Sequence, residues 1–157
     1  MEFESEGHAW GLDAESISFG AALADLDRDG DLDIVVNNID DPASSIRNDS
    51  TLGHAVLIRL VGERANRYGL GATITAEAGG RTLTRFLSLS RGYMSANEPV
   101  VHIGLGPAAA IDRLTVRWPG GGEQVFEHLD ADRLYTITQV GGSESTSPPA
   151  VESMYRE

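Results

Sequence analysis

Asp25-Leu26-Asp27-Arg28-Asp29-Gly30-Asp31-Leu32-Asp33 sets five carboxylates in nine residues, with Arg28 as the one cation among them. Such a cluster repels itself unless it is spread into water or wrapped around a cation. The spacing favours the cation. Asp25, Asp27 and Asp29 stand at alternate positions, so a loop curling round a point turns all three carboxylates inward. Gly30 follows, where the chain must turn sharply without a Cβ in the way. Calcium takes roughly six to eight oxygens, and its loops supply them from positions 1, 3 and 5, with Gly at 6 and a backbone carbonyl at 7. The expected ligands of a Ca2+ ion are therefore Asp25, Asp27, Asp29, the main-chain carbonyl of Asp31, and Asp33 as the closing carboxylate.

The flanks decide what holds this loop. An EF-hand needs a helix on each side and a bidentate Glu at position 12. Position 12 is Val36. Phe19-Gly20-Ala21-Ala22-Leu23-Ala24 is small and apolar, and Ile34-Val35-Val36 is β-branched, so both flanks read as strands. The stretch is thus a cation loop inside a β-hairpin. The pattern D-x-D-x-D-G-x-x-D between those strands resembles the FG-GAP/VCBS repeat. That resemblance implies a blade of a β-propeller with calcium held between its first two strands.

Outward from the loop, strands are expected at about 18–24 and 33–38. Asn37 to Pro42 is a turn-forming cluster, and Ala43 to Arg47 is a candidate third strand. Trp10 is expected to cover the start of the first strand. Together this is part of one propeller blade. From His54 the texture changes to seven short apolar or alternating runs, at 54–61, 69–76, 81–89, 100–103, 112–118, 124–127 and 134–138, separated by Gly- and Pro-containing turns. That spacing reads as an all-β sandwich or barrel. The expected core is Val56, Ile58, Ile74, Leu87, Val101, Leu114, Val116, Trp118, Val125 and Ile137, and a slip of one residue would reverse a strand's faces.

The second region resembles the ASPIC/UnbV domain. The residues that carry the resemblance are Asn66-Arg67-Tyr68-Gly69-Leu70-Gly71-Ala72, Arg91-Gly92-Tyr93-Met94-Ser95, His102-Ile103-Gly104-Leu105-Gly106 and Val116-Arg117-Trp118-Pro119-Gly120-Gly121-Gly122. The resemblance implies a domain placed directly after FG-GAP/VCBS repeats, as in the cartilage acidic protein-like family. The expected organisation is a blade fragment over 1–50, a β-sandwich-like domain over 54–139 and a polar tail over 140–157. Ala150, Val151, Met154 and Tyr155 give the tail an apolar face, to lie along a neighbour's open strand edge or to fold back on its own chain.

Composition narrows the function. Of the 157 residues, 41% are hydrophobic and 23% charged, ordinary values for a globular chain. No run approaches the roughly 18 apolar residues of a membrane helix. A formal charge of −12 argues against nucleic acid and anionic membranes as partners, since both require basic patches. There is no cysteine, which excludes disulfides, thiol catalysis and thiolate metal sites. The first residues lack the basic and apolar regions of a signal peptide.

Catalytic constellations find little support. His8, His54, His102 and His128 have no zinc-type spacing. His102 lies in a short apolar strand, where a hydrogen-bonded structural role is expected. Gly104-Leu105-Gly106 lacks the third glycine of a dinucleotide loop. Arg64, Arg67, Arg81, Arg85 and Arg91 gather mid-chain, as a solvated face or as a basic patch for an acidic surface. The sequence is therefore expected to encode a non-enzymatic, calcium-binding structural or adhesion module of extracellular or cell-surface type. It would bind a protein partner or copies of itself. The alternatives are a carbohydrate-binding module, with Trp118, Tyr93 or Trp10 as the platform, and an accessory domain of an enzyme.

Overall fold

The structure is a computed structural model, and it describes residues 3–13, 15–50, 53–63, 65–140 and 150–153. Every regular element among them is a β-strand. The first three, β1 (Ser18–Ala24), β2 (Asp33–Asn38) and β3 (Ser44–Ile46), form an antiparallel sheet in that order. Trp10 does not cover β1. Residues around it close a tight turn, with Leu12 N donating to Gly7 O at 2.7 Å, and the indole is left 73% exposed. The ring that meets the start of β1 is Tyr93, edge-on to Phe19 with centroids 4.9 Å apart.

Seven strands overlap the seven expected runs: β4 (His54–Val61), β5 (Thr73–Ala78), β6 (Arg81–Phe86), β7 (Val100–Gly106), β8 (Ala110–Arg117), β9 (Glu123–Asp130) and β10 (Arg133–Thr138), although 69–72 and 87–89, expected as strand, lie in turns and loops. With β11 (Ala150–Ser153) they make two four-stranded sheets, ordered β11-β10-β4-β7 and β6-β5-β8-β9. Val56, Ile58 and Leu60 of β4, with Val101, Ile103 and Leu105 of β7, point from the first sheet into one core. Ile74 and Ala76 of β5 and Leu114 and Val116 of β8 meet them from the second. Each fully buried aliphatic side chain contributes about 1.5–3 kcal/mol. The described residues are all-β, a sandwich preceded by a hairpin sheet that carries the acidic loop.

One expected core residue is misplaced. Val125 is only half-buried, while its neighbours Gln124 and Phe126 face inward. The cause is Trp118, whose Nε1–H needs a partner inside the core and donates to Gln124 Oε1 at 2.6 Å. Gln124 Nε2 in turn donates to Thr138 O. A polar residue therefore takes an inward position, and β9 slips by one relative to the expected register.

The stretches that carry the ASPIC/UnbV resemblance are largely about close packing. Asn66 closes its turn by accepting from Leu70 N and donating to Leu70 O, both at 2.9 Å. A Cβ on Gly69 would lie 2.9 Å from Trp118 Cζ3 and from Leu60 Cβ, and φ there is +63°. Only glycine fits under that indole.

The sheets also place one stretch of the tail. Ala150–Ser153 pairs antiparallel with β10 of its own sheet, Tyr135 opposite Val151, so the segment folds back on its own chain. Met154 and Tyr155 lie outside the described residues. β4 is buried on both faces: Ala55 and Leu57 are buried on the side away from the core. There the hairpin sheet sits, and Leu23, Leu32, Leu57 and Val101 line a cavity of about 180 Å³ at the junction.

Candidate metal centre

The loop leaves β1 at Ala24 and enters β2 at Asp33, and these two residues are themselves paired. Its turns are made by its own carboxylates. Asp25 Oδ2 accepts from Gly30 N at 3.1 Å, Asp27 Oδ1 from Asp29 N at 3.4 Å, and Asp29 Oδ1 from Asp31 N at 3.0 Å. Gly30 takes φ +97°, the left-handed conformation for which the sequence supplies a glycine.

This winding brings carboxylate oxygens of Asp25, Asp27 and Asp29 within 4.8 Å of one another. Two oxygens of the loop, Asp25 Oδ1 and Asp31 Oδ1, are buried with no hydrogen-bond partner. The electrostatics register the crowding. The Asp31 carboxyl is pushed up to about 7, first by burial, then by its hydrogen bond to Asp29 and the negative charges of Asp29, Asp33 and Asp27. Burial likewise raises Asp25, against the lowering effect of backbone hydrogen bonds from Arg28 and Gly30. An opposite charge within reach favours the ionised form, so a divalent cation would reverse both shifts. A set made only of hard oxygens, two of them orphaned, would suit a hard cation and not a soft metal.

The five expected positions are not equivalent. Asp25, Asp27 and Asp29 come together. Asp31, expected to offer its carbonyl, also turns its carboxylate inward against Asp29. Asp33 stands apart and is 2% exposed. One of its oxygens accepts from Leu26 N at 2.9 Å and the other from Asn48 N at 2.8 Å. It ties the base of the loop to the irregular segment after β3, and each oxygen keeps a second lone pair.

Residues outside the loop complete its surroundings. Ser95 Oγ accepts from Ala21 N at 3.1 Å, Asn97 Oδ1 from Leu23 N at 3.0 Å and Glu98 Oε1 from Asp25 N at 3.2 Å. His102 Nε2 lies 2.9 Å from Gly30 O. A carbonyl only accepts, so Nε2 carries the proton. The sequence marked His102 as hydrogen-bonded and Arg91–Ser95 as part of the ASPIC/UnbV resemblance, but nothing in it linked either to the acidic loop.

The remaining candidates separate. His54 Nδ1 contacts Asp132 Oδ2 at 2.7 Å, and Asp132 Oδ1 accepts from Ala55 N, a fastening between the start of β4 and the β9–β10 turn. Arg85 and Arg91 line the junction cavity, with backbone carbonyls of Thr84 and Phe86 as partners. Arg64 lies outside the described residues. Trp118 is 4% exposed and cannot serve as a sugar platform, whereas Tyr93 and Trp10 are exposed but offer no row with it.

The sequence profile of the ASPIC and UnbV family matches residues 62–144, more than half of the chain. Over 135 residues, 82% of this chain, the sequence is 28% identical to cartilage acidic protein 1 of Mus musculus and of Homo sapiens. Over 65 residues, 39% of this chain, it is 32% identical to cobyrinate a,c-diamide synthase of Listeria monocytogenes. The chain spans 20% of the length of the former and 14% of the latter.

Proposed function

The chain belongs to the ASPIC and UnbV family, and on that premise we propose that it is a non-enzymatic module in which Ca2+ at the Asp25–Asp33 loop stiffens a surface for protein contact. The observation that supports this most is the convergence of Asp25, Asp27 and Asp29 beside two buried, unpartnered carboxylate oxygens. Repulsion of that kind is costly without a cation. We read the hairpin as an FG-GAP/VCBS-type calcium hairpin, with Asp25, Asp27, Asp29, Asp31 and Asp33 as its ligand set. The relative's name, cartilage acidic protein 1, is that of an acidic protein of an extracellular tissue. An extracellular setting for this chain, at −12, follows that likeness. Partner contact would use strands that end their sheets, among them β3, β6 and β9, since an open edge templates pairing. The likeness to cobyrinate a,c-diamide synthase covers 14% of that enzyme, and its activity is not part of this reading.

Titration calorimetry with CaCl2 on the metal-stripped chain tests the proposal. A single site is expected, abolished by Asp27→Ala. Calcium at 100 times its Kd should stabilise the fold by about 2.7 kcal/mol if it binds only the native state. A melting temperature indifferent to both calcium and chelator would refute it.

A further inference from the structure

The free edge of β1 carries three outward N–H groups in succession, those of Ala21, Leu23 and Asp25. In a sheet such a row would be met by the carbonyls of another strand. Here it is met by side chains, Ser95 Oγ, Asn97 Oδ1 and Glu98 Oε1, from the loop before β7. The spacing of two on the strand is matched by a short run of acceptors that imitates a strand without being one. The fit is close: a Cβ on Gly20 would lie 2.7 Å from Ser95 Oγ and 3.1 Å from Tyr93 O.

The same surface of the sandwich then reaches the acidic loop itself. The peptide joining Gly30 to Asp31 is held at both ends. His102 Nε2–H donates to its carbonyl at 2.9 Å, and its N–H donates to Asp29 Oδ1 at 3.0 Å. Glu98 holds the peptide that leads into Asp25. One of the three converging carboxylates, that of Asp29, is therefore oriented by a peptide that the sandwich grips, and the backbone of a second, Asp25, is held by Glu98. His102 lies on β7 opposite Leu57 of β4, so the grip rests on rigid strands.

We propose that Ser95, Asn97, Glu98 and His102 are positioning residues for the cation loop: the sandwich sets the loop's affinity for Ca2+, and Ca2+ in turn tightens the hairpin on the sandwich. The inference rests on the calcium reading above. Partners that orient metal ligands from outside the coordination shell typically change affinity by about 10–100-fold when removed. Linkage makes the effect reciprocal, so the cation strengthens the docking by the same factor by which docking strengthens cation binding.

The test uses the full chain and CaCl2. His102→Leu and Asn97→Ala should each weaken calcium binding about tenfold or more by calorimetry. His102→Gln, whose amide can still donate to Gly30 O, should recover most of the loss. Hydrogen exchange on the wild type supplies a readout that needs no variant to fold: calcium should slow exchange of the Ala21, Leu23 and Asp25 amides and leave the β5 and β8 core amides unchanged. Calcium binding with unaltered affinity in both His102→Leu and Asn97→Ala, or calcium-insensitive exchange at Ala21 and Leu23, overturns this inference and leaves the calcium site standing. Absence of calcium binding to the wild type overturns both.

Discussion

The two halves of the molecule are held together by different chemistry. Every buried apolar side chain among the described residues comes from Ala55 onward. In the hairpin sheet the buried residues are Gly30, Asp33 and Asn38. Asp33 gathers two backbone N–H groups. Asn38 accepts from Ser16 and Ser18 hydroxyls and donates to Pro42 O and Ser44 Oγ. The sandwich is stabilised by area removed from water, the hairpin by a few polar side chains that each close several loops. A small sheet without an apolar core is marginal alone, so it depends on what it docks against and on what charge it binds.

That contrast is open to direct attack. The largest effect is expected at Leu114→Ala, which opens a cavity at the centre of the sandwich and should cost about 2–5 kcal/mol of global stability in urea denaturation. The corresponding loss in the hairpin should be local. Asp33→Ala strands the Leu26 and Asn48 amides, each worth about 1–3 kcal/mol if left unsatisfied in a buried place. Hydrogen exchange should then rise across β1 to β3 while the β5–β8 amides keep their protection; uniform acceleration throughout would show that the halves unfold as one. Smaller again is Gln124→Ala, which orphans the Trp118 indole N–H alone and should destabilise the sandwich by about 1–3 kcal/mol, read as a lower urea midpoint.

The smallest effect concerns pH and separates the halves by charge. Asp31 is raised to about 7 in the fold, well above its ordinary value near 3.8. The folded state then binds its proton more tightly than the unfolded state, so the stability this contributes is present at low pH and is lost as pH rises through about 7. In chelator, the hairpin amides should be better protected at pH 5 than at pH 8. On the proposed calcium reading, saturating CaCl2 should reverse the trend, because a nearby cation favours the ionised carboxylates. Equal protection at both pH values in chelator would remove the crowding argument.

How far the sequence foretold this follows the same division. Alternating stretches such as Leu114-Thr115-Val116-Arg117-Trp118 announce strand and face together, because each strand's period is local. The pairing of β4 with β10, parallel and with Val56 opposite Arg133, has no local signature and was not legible. Neither was the inward turn of Gln124, since polarity alone argues for the surface and the need of Trp118 for a partner appears only once the two are adjacent. At the loop, the alternation of Asp25, Asp27 and Asp29 foretold their convergence. It could not foretell that the oxygens of Asp33 would be engaged by backbone amides, or that Ser95, Asn97, Glu98 and His102 would come to lie against the loop.

The side-chain row that seals β1 has a consequence in the order of synthesis. The acceptors for Ala21, Leu23 and Asp25, and the donor for Gly30, lie 72–74 residues further along the chain. Ribosomes add roughly 5–20 residues per second, so about 4–15 s pass between the appearance of the hairpin and that of its fastening. Throughout that interval the nascent strand offers a bare edge to its neighbours on a polysome. Until then the hairpin has only its own polar fastenings at Asp33 and Asn38, to which a cation in the loop would add a further brace.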